Sequence, residues 1–265
     1  MSSALTVLKE QINSFYLVRR LSVYEVKSAN SNNYLGILWE IINPMIQIAI
    51  YWFVFGFIIL NRGDNFLPWL MAGIVVWFFV NPAITQTSKS VYSRLNMVSK
   101  MSFPMSVIPS YVIFAKLYQH LMLLGVIIIL LGFTGYLPTV YIIQLPYYVV
   151  ATVVLLFSFG LISSTLSTII RDVHNIIVSL MKVLFYLTPI LWVLDAKEHP
   201  IIVNIMKLNP LYYIVDGYRA SLLGESWYLI EHWEYTLYFW AVVIILFLIG
   251  SSLHVRFRDR FVDFK

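Results

Sequence analysis

The 265-residue sequence has no cysteine, which excludes disulfides, thiolate metal sites and a cysteine nucleophile and says little about compartment. Charge is scarce as well. Asp, Glu, Lys and Arg make up 12% of the residues, against about 25% in soluble domains. Leu121 through Ile170 contains no Lys, Arg, Asp, Glu or His; fifty such residues make two membrane spans and a turn, not the core of a small soluble domain. There is no G-x-x-x-x-G-K-[ST] loop, nor any Gly-Lys dipeptide, so P-loop nucleotide hydrolysis is excluded for this chain. His-Glu-x-x-His is absent, and the five histidines, His120, His174, His199, His232 and His254, are too scattered to suggest a metal cluster. The first forty residues are polar and amphipathic, so no cleavable signal peptide is expected.

What is there is apolar: 60% of residues are hydrophobic and the mean hydropathy is +0.80. Six segments approach the roughly 20 apolar residues that a spanning helix needs. They are Ile41–Leu60, Phe66–Thr87, a part of Val112–Phe133, a part of Val149–Ile170, Ile176–Leu194 and Tyr235–Leu253. Asn81-Pro82 is expected to kink or end the second, Pro189 to interrupt the fifth, and "GYLP" at Gly135–Pro138 to turn the chain between the third and fourth. The pattern predicts an all-α integral membrane protein with six transmembrane helices and both termini on one side. The net charge of +5 raises nucleic acid as a partner, but its placement is better explained by topology. With cytoplasmic termini, twelve of the eighteen basic residues face the cytoplasm and four face out, which satisfies the positive-inside rule. No Asp or Glu falls within the six predicted cores, which argues against a proton relay.

Ahead of the first span, Leu5, Leu8, Ile12 and Phe15 recur at helical spacing among polar residues. Residues 1–33 are therefore expected to hold an amphipathic helix in the headgroup plane, with a soluble helix packed on the cytoplasmic face as the alternative. The loop "SKSVYSRLNMVSKMSFP" places Val91, Leu95 and Val98 at the same spacing beside Arg94 and Lys100. A docking helix for a partner and a plain connector both fit it, and both also fit the turn at Arg171–Asn175. Lys116 and Lys182 sit near cytoplasmic span ends, where they either snorkel to headgroups or line a path for an anion; His120 lies one turn deeper than Lys116. Trp39, Trp69, Trp192, Trp227 and Trp233 suit interfacial belts, as do the tyrosines, although Tyr147, Tyr148, Tyr212, Tyr213 and Tyr218 could instead line a route for sugars. Asp216 and Arg219 are three residues apart on a helix that Asn209-Pro210 would start. They form either a local ion pair, worth about 0.2–0.5 kcal/mol if exposed, or a latch in which a guanidinium exchanges carboxylate for phosphate.

With these segments in place, "YLGILWEIINPMIQIAIYWFVFG" (Tyr34–Gly56), Arg171-Asp172 after a Ser/Thr-rich helix end, and "NPLYYIVDGYRASLLG" (Asn209–Gly224) resemble the membrane subunits of polysaccharide-exporting ABC transporters. The likeness covers nearly the whole chain. Within the family it is most similar to permeases that translocate teichoic acid, whose motifs are shared by permeases for O-antigen and capsule.

The resemblance implies a single transmembrane domain over 1–265, with the interfacial helix at 1–33, the six-helix membrane region at 34–254 and a cytoplasmic tail at 255–265. It implies short re-entrant outer helices between spans 5 and 6, at about Pro200–Leu208 and Pro210–Leu223, with Tyr212, Tyr213, Asp216, Tyr218 and Arg219 at an outer gate. It further implies a substrate pathway with Lys116, His120, Lys182, Tyr147 and Tyr148, and docking of a separate ATP-binding cassette subunit through Val91, Arg94, Leu95, Val98, Lys100, Arg171 and Asp172. Two such subunits would bind ATP and Mg, two copies of this chain would pair around one conduit, and no cofactor, catalytic residue or metal would sit here. The cargo would be an undecaprenyl-diphosphate-linked wall teichoic acid, an anionic polymer, moved across the bacterial cytoplasmic membrane among its lipids. Another lipid-linked glycan such as O-antigen or capsule is the alternative. A channel or membrane enzyme without an ATPase is the alternative of another class.

Overall fold

The computed structural model describes residues 2–31, 33–59, 65–95, 104–192 and 199–264. Among them the chain is helical throughout, without strands. Helices α1 (Ser3–Asn13) and α2 (Phe15–Asn30) precede α3 (Trp39–Tyr51), which continues as a π-helical stretch, Trp52–Ile59. Then come α4 (Phe66–Ser88), α5 (Val107–Phe133), α6 (Leu145–Ile169), α7 (Asp172–Leu187), α8 (Pro200–Lys207), α9 (Pro210–Leu223), the single turn α10 (Tyr228–Glu231) and α11 (Trp233–Phe257).

Five helical segments are long and apolar enough to cross a membrane: Gly36–Ile58, Phe66–Ser88, Val107–Phe133, Val140–Ile169 and Trp233–Phe261. The chain is a multi-pass membrane protein. The fifth expected span departs from expectation. Helix α7 has 16 residues, about 24 Å at 1.5 Å per residue, short of a hydrocarbon core of about 30 Å. Thr188 is extended and Pro189 follows, so the helix stops where the sequence suggested only an interruption. Pro82, by contrast, lies inside α4, which runs on to Ser88. The first span also starts earlier than expected, which brings Glu40 into it.

Helix α4 is the centre of the bundle. It is apolar on every side and buried along most of its length, as a helix without a polar face must be. Helices α5, α6, α7 and α9 pack around it, and α11 packs along α6. Small residues allow that last contact: a Cβ on Gly250 would lie 2.9 Å from the Ser158 carbonyl oxygen and 3.0 Å from Leu161 Cβ. Close approach of this kind is how helices associate where lipid removes the hydrophobic drive.

Both ends of the chain meet at one end of the bundle. Helix α2 turns Val18, Ser22 and Val26 inward, and Ser22 Oγ donates to the Tyr111 carbonyl of α5 at 2.9 Å. Glu10 of α1 pairs with Arg258 of the tail and accepts from Ser106 Oγ. Thr165 Oγ1 and His254 Nδ1 lie 3.0 Å apart between α6 and α11. The opposite end is closed by α8, α9 and α10.

Gly250→Ala is expected to cost about 1–3 kcal/mol through overpacking, because backbone rather than a flexible side chain stands in the way. A Cβ on Gly125 meets nothing within 4 Å, so Gly125→Ala should be neutral or gain up to about 1 kcal/mol in helix propensity. Thermal unfolding in detergent checks both; equal behaviour of the two variants would contradict this packing.

Candidate functional site

Helix α9 owes its bounds to its ends. Asn209 Oδ1 accepts from the Leu211 N–H at 3.0 Å, Pro210 occupies the first turn, and Gly224 closes the helix at φ 71°. That left-handed conformation suits glycine, and a Cβ there would also meet Thr139 at 2.7 Å. Asn209 Nδ2 further donates to Thr188 Oγ1 at 3.0 Å, which joins the start of α9 to the break after α7.

Arg219 decides how this helix sits. It is 5% exposed. Its guanidinium lies 3.6 Å from the centroid of the Trp69 ring and donates to the Pro189 carbonyl at 2.6 Å and the Ile190 carbonyl at 3.3 Å. Asp216 is 3.5 Å away. Space for the group comes from Gly73 of α4, where a Cβ would fall 2.5 Å from Arg219 Nη2. The side chain thus satisfies backbone carbonyls left free where α7 ends, on an aromatic face. Its ion pair with Asp216 is therefore not an exposed one. The Asp216 side chain keeps 26% of its surface, facing a cavity of about 250 Å³ that Arg219, Trp69, Trp192, Tyr212, Glu225 and Tyr228 also line.

Behind α9 the tyrosines form a cluster. Gly217 rests on the Tyr148 ring, which a Cβ would overlap at 2.1 Å. Tyr213 Oη lies 3.1 Å from Tyr147 Oη and 2.8 Å from Thr236 Oγ1, and its ring stacks on Phe239 at 4.8 Å. Tyr147 and Tyr148 therefore stand with Tyr213, away from Lys116 and Lys182.

Those two lysines and His120 line a second, inner cavity of about 530 Å³ between α3, α4, α5 and α7. Glu40 and Gln119 face it too, with Gln119 Nε2 donating to Glu40 Oε1 at 2.7 Å. The cavity thus holds an acid as well as bases. His120 stacks on Phe79 at 4.7 Å and meets Tyr218 Oη through Nε2 at 2.9 Å, so one residue touches both the inner cavity and α9.

At the end of the bundle that holds the chain termini, a short 3₁₀ turn, Tyr92–Arg94, lies where the expected amphipathic helix would begin; residues 96–103, over which that helix was expected to continue, lie outside the described residues. Val91 and Leu95 are buried against Val18, Tyr111 and Phe261. Arg94 pairs with Glu25 and lies over the Tyr111 ring. The apolar face is already covered by α2, which is what local spacing could not reveal. Val98 and Lys100 lie outside the described residues. Arg171 and Asp172 are exposed; their turn reaches the 88–95 segment through Ser88 Oγ and His174 Nδ1, 2.7 Å apart. Among the described residues no group of three metal-ligating side chains occurs.

Sequence reasoning missed Glu40, Trp69 and Gly73 as site residues. A lone glycine inside the apolar run "LMAGIVV" was the available signal, since such a glycine often marks close packing.

Residues 16–223 match the model of the ABC-2 type transporter family. An O-antigen export system permease protein RfbA of Klebsiella pneumoniae is 25% identical over 97% of this chain and 98% of its own length. Its namesake in Myxococcus xanthus is 22% identical over 90% of this chain and 91% of its own length.

Arg219→Met should cost about 3–5 kcal/mol, the range for removing one partner of a buried pair, and Asp216→Asn in the same chain should restore part of it. Gly73→Ala should also lower stability by displacing the guanidinium. Unfolding in detergent measures each; a loss of only about 0.5 kcal/mol for Arg219→Met would match an exposed pair instead.

Proposed function

Because the chain belongs to the ABC-2 type transporter family, we propose that it is the membrane subunit of an ATP-driven exporter of a lipid-linked polysaccharide, and that the cargo is an O-antigen-type glycan rather than a teichoic acid. The observation that carries the cargo is the nearly end-to-end match to O-antigen export permeases. The lack of a P-loop in the sequence supports a separate ATP-binding subunit that holds ATP and Mg.

In this proposal α7 and the described residues 188–192 after it make a sixth transit, which agrees with both chain ends meeting at one end of the bundle. The positive-inside count puts that end in the cytoplasm. Helices α8 and α9 then form a re-entrant outer pair, tolerated at membrane depth because protein covers their ends. Two copies share the conduit. The exposed apolar flank of α3 and its π-helical continuation, with Ile46, Ile50 and Phe53, supports a further protein or lipid contact there. The inner cavity receives the diphosphate of the carrier lipid, with Lys116 and Lys182 offering positive charge and Glu40 opposing a permanently bound anion. The ATP-binding subunit docks at Arg171-Asp172 and the adjoining surface around Lys89.

Two outcomes are expected. Lys116→Met and Lys182→Met keep the apolar stems, so abundance should hold while export of surface glycan falls severalfold by immunoblot; wild-type export by both would leave snorkelling as the better account. Reversal of charge at Arg171 and Asp172 together should abolish co-purification of the ATPase subunit while the permease stays monodisperse. Unchanged co-purification places the docking surface elsewhere.

A further inference from the structure

An apolar groove of about 570 Å³ runs between the N-terminal helices and the flank of the bundle. Leu8, Ile12 and Phe15 form one wall, and Phe114, Phe157 and Phe247 of α5, α6 and α11 form the other. Its two polar residues are turned on each other: Ser110 Oγ donates to Gln11 Oε1 at 2.6 Å, and Gln11 Nε2 donates to the Ser106 carbonyl at 3.0 Å. The groove therefore asks for hydrocarbon. The helices of its second wall are among those long and apolar enough to span a membrane, so acyl chains are the medium at its mouth.

The rim has one sign of charge. Both acids of α1 and α2 point inward, Glu10 onto Arg258 and Glu25 onto Arg94. Lys9, Arg19, Arg20 and Lys27 are exposed, and among the described residues none has an ion-pair partner. Lys9 precedes Ile12 by three residues and Arg19 follows Phe15 by four, so both stand beside groove residues on their helices. Cations flank a hydrocarbon slot.

We propose that this groove is a binding site for an anionic phospholipid of the bilayer, with an acyl chain between α1 and α5 and the phosphate between Lys9 and Arg19. The lipid is not the exported cargo. Helix α5 turns Ser110, Ile113 and Phe114 to the groove and Lys116, Gln119 and His120 to the inner cavity, so the two sites lie on different faces of one helix. An N-terminal segment so held would be clamped to the bilayer by chain and charge together. The site does not depend on the proposed cargo.

Native mass spectrometry of the full chain, exchanged into detergent with equal phosphatidylglycerol and phosphatidylethanolamine, tests this. The wild type should retain phosphatidylglycerol severalfold over phosphatidylethanolamine. Lys9→Gln with Arg19→Gln should erase that preference, and Phe15→Ala, a truncation of a side chain 56% exposed, should weaken retention of both lipids without unfolding. Equal retention by the wild type, a preference that survives the double substitution, retention unaffected by Phe15→Ala, or displacement of the lipid by added lipid-linked glycan would each overturn the proposal.

Discussion

The fold is organised around a cation that is almost wholly buried. Arg219 sits against Trp69, above Gly73, and donates to the carbonyls of Pro189 and Ile190. A charge in this position is costly unless its hydrogen bonds are made, and those carbonyls are available only because α7 ends early. The short helix, the extended Thr188 and the buried guanidinium are one solution to one problem: a chain that stops being helical at depth must have its backbone groups satisfied by protein. Asn209 adds a second tie at the same break through Thr188. Helix α9 is therefore fastened to the end of α7.

The same helix reaches the inner cavity on its other side. Tyr218, next to Arg219 in sequence, meets His120 at 2.9 Å, and His120 is stacked on Phe79 and lines the cavity with Lys116 and Lys182. Helix α9 is thereby tied to α4 through Trp69 and Gly73, to α5 through His120 and to the end of α7 through the Pro189 and Ile190 carbonyls. The tyrosine cluster around Tyr213 and Tyr148, with Gly217 seated on the Tyr148 ring, makes any movement of α9 one of a packed unit rather than of single side chains.

Much of this was legible in residue order. The bounds of α9 follow from Asn209-Pro210 and Gly224, and five of the six expected spans correspond to helical segments of sufficient length. The amphipathic start was visible at Leu5, Leu8, Ile12 and Phe15. What periodicity cannot supply is which neighbour covers a face. Val91 and Leu95 do share a face, but α2 occupies it, so their spacing described packing rather than an exposed surface. Asp216 and Arg219 do share a side of α9, yet the partners that matter most to Arg219 lie on Trp69, Gly73 and the end of α7, up to 150 positions away along the chain. Glu40 escaped notice because the span starts before its first long apolar run.

The central functional claim is that this chain moves a lipid-linked glycan only in company with an ATP-binding subunit. The direct measurement is transport in proteoliposomes holding both subunits and a lipid-linked O-antigen-type glycan, read by lectin accessibility on the far face after ATP is added. The account predicts ATP-dependent appearance of glycan with both subunits and none with either alone. Translocation by this chain alone at the same rate, or no glycan movement by an assembled and ATP-hydrolysing complex, would contradict it.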